Sequence, residues 1–98
     1  MYLDTLSYQI YGFHPSDFTR DYLTALLEEI QHEAPYGATL RARFARHGRE
    51  FKATVEIHSR AGRFFARASG SRVREVGQKT LEQLRRQLSK WHQIRVTG

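Results

Sequence analysis

The pattern from which the fold follows lies in residues 40–68, which read LRARFARHGREFKATVEIHSRAGRFFARA. Apolar and polar residues alternate through this segment, and two turns, at His47-Gly48 and at Ser59 to Gly62, divide it into three strands. The first turn predicts three apolar cross-strand pairs: Leu40 with Val55, Ala42 with Ala53, and Phe44 with Phe51. The second turn predicts Ile57 with Phe64, Val55 with Ala66, and Ala53 with Ala68. Both hairpins place the same residues of the middle strand on the apolar face, which indicates one continuous sheet.

One further strand and two helices flank these three strands. Leu6, Tyr8 and Ile10 alternate with Ser7, Gln9 and Tyr11, as in a half-buried strand. A helix begins near Ser16 or Asp17 and ends before Pro35, with an apolar stripe of Phe18, Tyr22, Leu23, Leu26, Leu27 and Ile30. A second helix runs from about Val73 to Trp91, with the stripe Val73, Val76, Thr80, Leu81, Leu84, Leu88 and Trp91. The order β-α-β-β-β-α predicts one α+β domain over residues 1–98, with two helices packed on one face of a four-stranded sheet.

The composition indicates a basic protein that stays out of membranes. The 98 residues are 40% hydrophobic, which is enough for one core, and the sequence has no cysteine, which excludes disulfides and thiolate chemistry. We find no signal peptide and no apolar segment of spanning length, so we expect a cytoplasmic protein. The formal net charge is +6, and thirteen of the sixteen basic residues are arginine. Arginine favours multidentate contacts with phosphate, so a polyanionic partner is the natural interpretation and solubility alone is the alternative.

Catalysis finds little support in the sequence. The five histidines show no metal-ligand spacing. Glu28 and Glu29 are neighbours on a helix and point about 100° apart, so they are not a prepared acid–base pair. No glycine-rich loop is present to hold a phosphate. We therefore expect a protein that is not an enzyme and that uses no metal or cofactor.

The second helix carries the first group of candidate RNA-binding residues: Arg72, Arg74, Lys79, Arg85, Arg86 and Lys90. Glu75 and Glu82 precede Lys79 and Arg86 by four residues, a spacing at which ion pairs form. Arg85, Arg86 and Lys90 have few acids near them in the sequence. The helix is roughly 30 Å long at 1.5 Å per residue, so its basic stripe can follow several phosphates. A solvated helix face is the alternative interpretation.

The open face of the sheet carries the second group of candidates: Arg41, Arg43, Lys52 and Arg67, with Arg63 and Phe65 on the same face. The predicted register puts Arg43 opposite Lys52, and like charges so placed destabilise a sheet by roughly 0.2–1 kcal/mol. Such a clash would favour an anionic partner. Phe65 could stack on a base, or it could be an ordinary exposed aromatic residue.

Four segments resemble the short hibernation-promoting factor family of bacterial ribosome-associated inhibitors. They are the strand end Ile10-Tyr11-Gly12, the helical Arg20-Asp21-Tyr22-Leu23, the small-residue strand Ala66-Arg67-Ala68-Ser69-Gly70, and Leu84-Arg85-Arg86-Gln87-Leu88-Ser89-Lys90-Trp91. The likeness extends from about Leu6 to His92. It implies a domain that binds the small ribosomal subunit in the channel for messenger and transfer RNA and inhibits translation by occupancy. Arg86 and Lys90 match family positions whose basic side chains face ribosomal RNA.

The resemblance to this family is incomplete, and a second class of RNA-binding domain is also similar. Residues 71–78, SRVREVGQ, depart from the family pattern of an acidic residue, a methionine and a tyrosine after the glycine, so the chain resembles a divergent member. We expect a monomer without the C-terminal domain with which long forms pair ribosomes. Arg72-Val73-Arg74-Glu75-Val76 also resembles the helix start of double-stranded RNA-binding domains, which read RNA shape and phosphates. Duplex RNA is thus one alternative partner, and a protein bound to the open face or to a sheet edge is another.

Overall fold

The computed structural model describes residues 6–97, with side chains through residue 94, and confirms the predicted order of elements. The elements are β1 (Leu6–Tyr11), α1 (Asp17–Glu33), β2 (Thr39–His47), β3 (Glu50–Ser59), β4 (Gly62–Gly70) and α2 (Val73–Thr97). The sheet order is β1-β2-β3-β4, with β1 parallel to β2 and the other pairs antiparallel. The chain thus has the predicted α+β fold, and α1 forms the crossover that a parallel pair requires.

Both helices cover the same face of the sheet. The strand residues that point to this face are buried, and they are Leu40, Ala42, Phe44, Ala53, Val55, Ile57, Phe64, Ala66 and Ala68. The helices complete the core with Leu23, Leu26, Leu27, Ile30, Val76, Leu81, Leu84 and Leu88. The two helices approach closely at Gly77, where a Cβ would lie 3.3 Å from Leu23 Cδ2. This close approach explains a glycine inside α2, where it costs about 1 kcal/mol relative to alanine.

The β3–β4 register is confirmed, whereas the predicted β2–β3 register is wrong by two residues. Ala42 lies opposite Val55, and Arg43 lies opposite Thr54 rather than Lys52. A shift of two leaves every side chain on the same face, so the apolar pattern cannot distinguish the two registers. The turn decides between them, because Gly48 adopts a φ of 64° while Arg49 does not have a positive φ. Glycine at the first central position defines a type II′ hairpin, so the loop is Gly48-Arg49.

The start of α1 follows the capping prediction but departs from the predicted core. Ser16 is the N-cap, and its Oγ accepts a hydrogen bond from the Thr19 backbone N–H at 3.1 Å. Phe18 was predicted to lie in the buried stripe, yet it is 70% exposed. Its ring lies under the Arg74 guanidinium, 5.4 Å from the ring centroid, so it faces the start of α2 rather than the sheet.

Helix α2 extends past the predicted end at Trp91 to Thr97. Its predicted stripe is confirmed: Val76, Thr80, Leu81, Leu84 and Leu88 are buried, and Val73 and Trp91 are partly buried. The Thr80 hydroxyl donates to the Gly77 carbonyl at 2.7 Å, which satisfies a polar group inside the core. Neither described helix has the length and apolarity needed to cross a bilayer.

Candidate nucleic-acid interface

The face of the sheet opposite the helices, which we call the open face, is lined by rows of side chains set by the strand register. The middle row consists of Gln9, Arg43, Thr54 and Arg67. The row on one side of it consists of Ser7, Arg41, Glu56 and Phe65, and the row on the other side consists of Tyr11, Ala45, Lys52 and Ser69. Arg63 and Glu50 point to the same face near its two ends. Among the described residues the open face therefore carries five arginines and lysines and two carboxylates. Glu56 lies 3.4 Å from His58 Nε2.

Two adjoining cavities indent the open face, with volumes of about 610 and 570 Å³. They share the side chains of Arg43, Thr54 and Arg67, which form the wall between them. The larger cavity adds Lys52, His47 and Lys79, and its described lining contains no acidic residue. The smaller cavity adds Arg41, Phe65 and Glu56. Four cationic side chains around one concave surface favour the binding of an anion such as a phosphate.

Helix α2 reaches this surface through a ladder of side chains along the outer edge of β4. Gln87 accepts a hydrogen bond from the Phe65 N–H at 3.0 Å and donates to the Phe65 carbonyl at 2.6 Å. Gln83 bonds to the Arg67 backbone in the same way, at 3.1 and 2.8 Å. Lys79 donates to the Ser69 carbonyl at 3.2 Å. Because side-chain amides satisfy the free backbone groups of β4, this edge is closed to strand addition by another chain.

The predicted basic stripe of α2 is in fact two rows on different sides of the helix. At about 100° per residue, Lys79, Arg86 and Lys90 lie within roughly 40° of one another, on the side of the β4 edge. We call these residues the outer row. Arg74 and Arg85 lie within roughly 20° of each other and about 120° away from the outer row, on the side of α1. We call them the inner row. Arg72 is exposed immediately before the helix.

The inner row is engaged by α1. The Arg85 guanidinium donates hydrogen bonds to the carboxylate of Glu29 and to that of Glu33, and its Nη2 lies 2.8 Å from Glu33 Oε2. Hydrogen bonds to Glu33, and then to Glu29, raise the pKa of Arg85 above its ordinary value. Arg74 lies over the Tyr22 ring at 4.3 Å from its centroid. Few acids are near Arg85 in the sequence, but the fold brings two of them to it from the other helix.

The outer row has different neighbours. In the described part of the chain, the ion pairs predicted between Glu75 and Lys79 and between Glu82 and Arg86 do not form within 4 Å. Lys79 instead binds the edge of β4 and lines the larger cavity of the open face. Arg86 and Lys90 are exposed beside a shallow cavity of about 460 Å³ farther along α2. Lys79 thus joins the outer row to the basic surface of the open face, whereas Arg86 and Lys90 lie farther along α2, beside a cavity that Arg85 also lines.

Two aromatic rings on the open face are each accompanied by an arginine. Arg43 lies 5.7 Å from the centroid of the Tyr11 ring, and Arg67 lies 5.6 Å from that of Phe65. The rings are 48% and 46% exposed. Sequence reasoning did not include Tyr11, Gln83 or Gln87 among the RNA-binding candidates, and it considered Tyr11 only with Phe65, as the centre of a protein interface. The spacing Lys79, Gln83, Gln87 on one side of α2 was the signal that could have indicated an edge-binding row.

The residues predicted to bind RNA thus fall into three sets. The structure brings together Arg41, Arg43, Lys52, Arg67 and Lys79. Arg72, Arg86 and Lys90 are exposed on or beside α2. Arg74 and Arg85 contact side chains of α1. Among the described residues, no three histidine or carboxylate side chains are grouped so that they could hold a metal ion. The arrangement is suited to binding an extended anion by charge and stacking.

Comparison with solved structures places this fold. The N-terminal domain of Protein Y from Thermus thermophilus has a TM-score of 0.75 and 12% identity, over 90% of this chain and 99% of that domain. A ribosomal subunit interface protein from Coxiella burnetii has a TM-score of 0.68 and 14% identity, over 87% of this chain and 96% of that protein. No family model and no curated protein matches the sequence. The comparison confirms the predicted α+β fold, and this chain matches nearly the whole length of the Protein Y domain and of the interface protein.

Proposed function

We propose that this protein is a ribosome-associated factor of the hibernation-promoting type, which binds ribosomal RNA of the small subunit in the cytoplasm as a monomer. It inhibits translation by occupying the channel for messenger and transfer RNA and carries out no reaction. The observation that carries this proposal is the basic open face, to which Lys79 joins the outer row of α2. The proposal is also supported by the fold, which this chain shares with a protein described as a ribosomal subunit interface protein.

The charge distribution favours RNA over a protein partner. The core of a protein–protein interface is depleted in charged residues, whereas the larger cavity of the open face is lined by Arg43, Lys52, Arg67 and Lys79. Arginine and lysine neutralise phosphates and release counterions from RNA, so binding should weaken steeply as salt rises. The closed edge of β4 removes one of the two sheet edges at which a peptide strand could add.

Co-sedimentation of the protein with purified small ribosomal subunits across a salt series tests the proposal. We expect saturable binding near one copy per subunit, and inhibition of translation in a purified system over the same concentration range. The variant Arg86→Glu/Lys90→Glu should lose most of this binding, because it reverses two charges of the outer row. The control variant Arg20→Glu/Arg60→Glu changes the net charge by the same amount at exposed positions on α1 and in the β3–β4 turn.

The control should bind nearly as well as the unmodified protein. Equal loss in both variants would mean that net charge alone drives association, and it would contradict a specific interface. Absence of binding at low salt would overturn the ribosomal proposal. Tight binding to a blunt RNA duplex under the same conditions would then favour the duplex RNA alternative.

A further inference from the structure

We propose that the open face is a platform for single-stranded RNA, on which unpaired bases stack against Tyr11 and Phe65 while phosphates bind at the two cavities of that face. This inference rests on the proposed function for its RNA partner and specifies which form of RNA the surface takes. It gives a role to the two exposed rings, whose presence the positive charge of the surface does not explain.

The first step is the placement of the two rings. Tyr11 is on edge strand β1 and Phe65 is on edge strand β4, so three interstrand spacings separate them across the sheet. Ser69, which is in the row of Tyr11, lies four residues along β4 from Phe65. With spacings of about 4.8 Å between strands and 3.3 Å per residue, the rings lie roughly 20 Å apart on a diagonal. This distance suits a strand of about four nucleotides, the lower end of the site sizes of single-strand platforms.

The second step is the surface between the rings. The diagonal passes the row of Arg43, Thr54 and Arg67, which forms the shared wall of the two cavities. The same two arginines lie over the Tyr11 and Phe65 rings, so each ring adjoins a guanidinium plane that also lines both cavities. Bases of single-stranded RNA stack on aromatic rings and on guanidinium planes alike. Ser7, Gln9, Thr54 and Ser69 add polar groups that can bond to base edges or to 2′-hydroxyls.

The third step is the distinction from duplex RNA. A duplex encloses the faces of its bases within the helical stack and offers proteins mainly phosphates and 2′-hydroxyls. It would use the arginines and lysines of the open face but leave both half-exposed rings without a partner. A single strand uses charges and rings together, so the surface as a whole is complementary to unpaired nucleotides.

Fluorescence anisotropy tests this proposal with a labelled hexauridylate and with a blunt RNA duplex long enough to stay base-paired, the two being compared at equal phosphate concentration. We expect the single strand to bind more tightly than the duplex. The variant Tyr11→Leu/Phe65→Leu keeps apolar side chains but removes both rings, and it should weaken hexauridylate binding at least fivefold for each ring, the low end of measured base–aromatic stacking. The variant Phe65→Trp should retain or strengthen binding, because it keeps an aromatic surface.

The matched control is Phe18→Leu, which removes an exposed ring that also lies under an arginine but on the opposite side of the molecule. It should leave hexauridylate binding unchanged. Circular dichroism and thermal melting of each variant separate lost stacking from lost folding, and a variant that fails to fold is replaced by the single substitution at Phe65.

The outcomes also separate this inference from the proposed function. Tighter binding of the duplex than of the single strand, or full affinity in Tyr11→Leu/Phe65→Leu, overturns the platform. If small subunits still bind in that case, the ribosomal proposal stands without it. If hexauridylate binds as expected but small subunits do not, the platform stands and the ribosomal proposal fails.

Discussion

The outer and inner rows of α2 contain the same kinds of residue on one helix, yet their surroundings differ. In the described part of the chain, no ion pair forms at Arg86 or Lys90, whereas Arg85 is held by Glu29 and Glu33. Arg74 lies on two aromatic rings of α1. The difference shows that a positive charge counted in a sequence is not always available to a ligand, because the fold can use it to join two helices.

Neutralising two residues of each row in turn tests this comparison most strongly. The variant Arg86→Gln/Lys90→Gln should weaken binding to small subunits roughly 10- to 100-fold, because it removes two charge-assisted contacts of about 1.5 kcal/mol or less each. The salt dependence should also fall by about two phosphate equivalents. Co-sedimentation at several salt concentrations measures both effects.

The matched variant Arg74→Gln/Arg85→Gln removes the same charge from the inner row. Its affinity should stay within about threefold, a change of less than 1 kcal/mol. If both double variants lost affinity equally, the two rows would be functionally equivalent and the comparison would fail.

The glutamine ladder is expected to give the next largest effect, this time on stability. The variant Gln83→Leu/Gln87→Leu removes four hydrogen bonds to the edge of β4 and should lower the free energy of unfolding by about 1–2 kcal/mol, since water replaces part of each exposed bond. Urea denaturation measures the change. Ser89→Leu, at an exposed position on the same helix, should leave stability nearly unchanged; a comparable loss there would show that added apolar surface, and not the ladder, is responsible.

Arg85 should contribute a smaller amount to stability. Replacing it with alanine should lower the free energy of unfolding by about 0.5–1 kcal/mol, the upper range for exposed ion pairs, while Arg86→Ala should change it by less than about 0.5 kcal/mol. The pKa of Arg85 is raised, so the stabilisation it provides is present below that pKa and is lost only as pH rises through it, at strongly alkaline pH.

Salt is therefore the useful variable for the Arg85 cluster. The difference between the two alanine variants should shrink in high salt, which screens partly exposed pairs. A double-mutant cycle of Arg85 with Glu33 isolates the pair. A coupling energy of zero at low salt would show that the cluster does not join the helices energetically.

Local patterns predicted the fold well, and they failed where long-range or turn geometry decides. Alternation identified every buried strand residue, but it could not detect a two-residue shift at Gly48, because such a shift preserves the faces. Periodicity likewise placed Phe18 in the stripe of α1, although that position faces Arg74. Each error came from a choice that the apolar pattern leaves open.

Local patterns likewise predicted only part of the candidate site. Arg41, Arg43, Lys52 and Arg67 follow from strand alternation, and the structure brings them together. The division of α2 into two rows depends on Glu29 and Glu33, which are 56 and 52 residues before Arg85. Only the packing of α1 against α2 brings these groups into contact, so no local window of sequence contains the information.

The smallest predicted effect concerns the carboxylate within the basic surface itself. Glu56 lines the smaller cavity beside Arg41 and Phe65, and it would face the phosphates of a bound strand. Glu56→Gln should therefore strengthen hexauridylate binding about two- to fivefold, the scale of a single surface charge interaction of up to about 1 kcal/mol. The effect should diminish as salt rises.

Glu50→Gln is the matched control, because Glu50 points to the same face at the hairpin turn but lines neither cavity. Anisotropy should show a smaller gain for it than for Glu56→Gln. Equal gains would mean that the open face attracts RNA through its overall charge and not through a contact at Glu56. A loss of affinity in Glu56→Gln would mean that the carboxylate accepts hydrogen bonds from bound RNA, since a 2′-hydroxyl or a base amino group can donate to it. Glu56 would then be a contact of the platform, and the open face would differ from the inner row of α2, where the carboxylates neutralise an arginine.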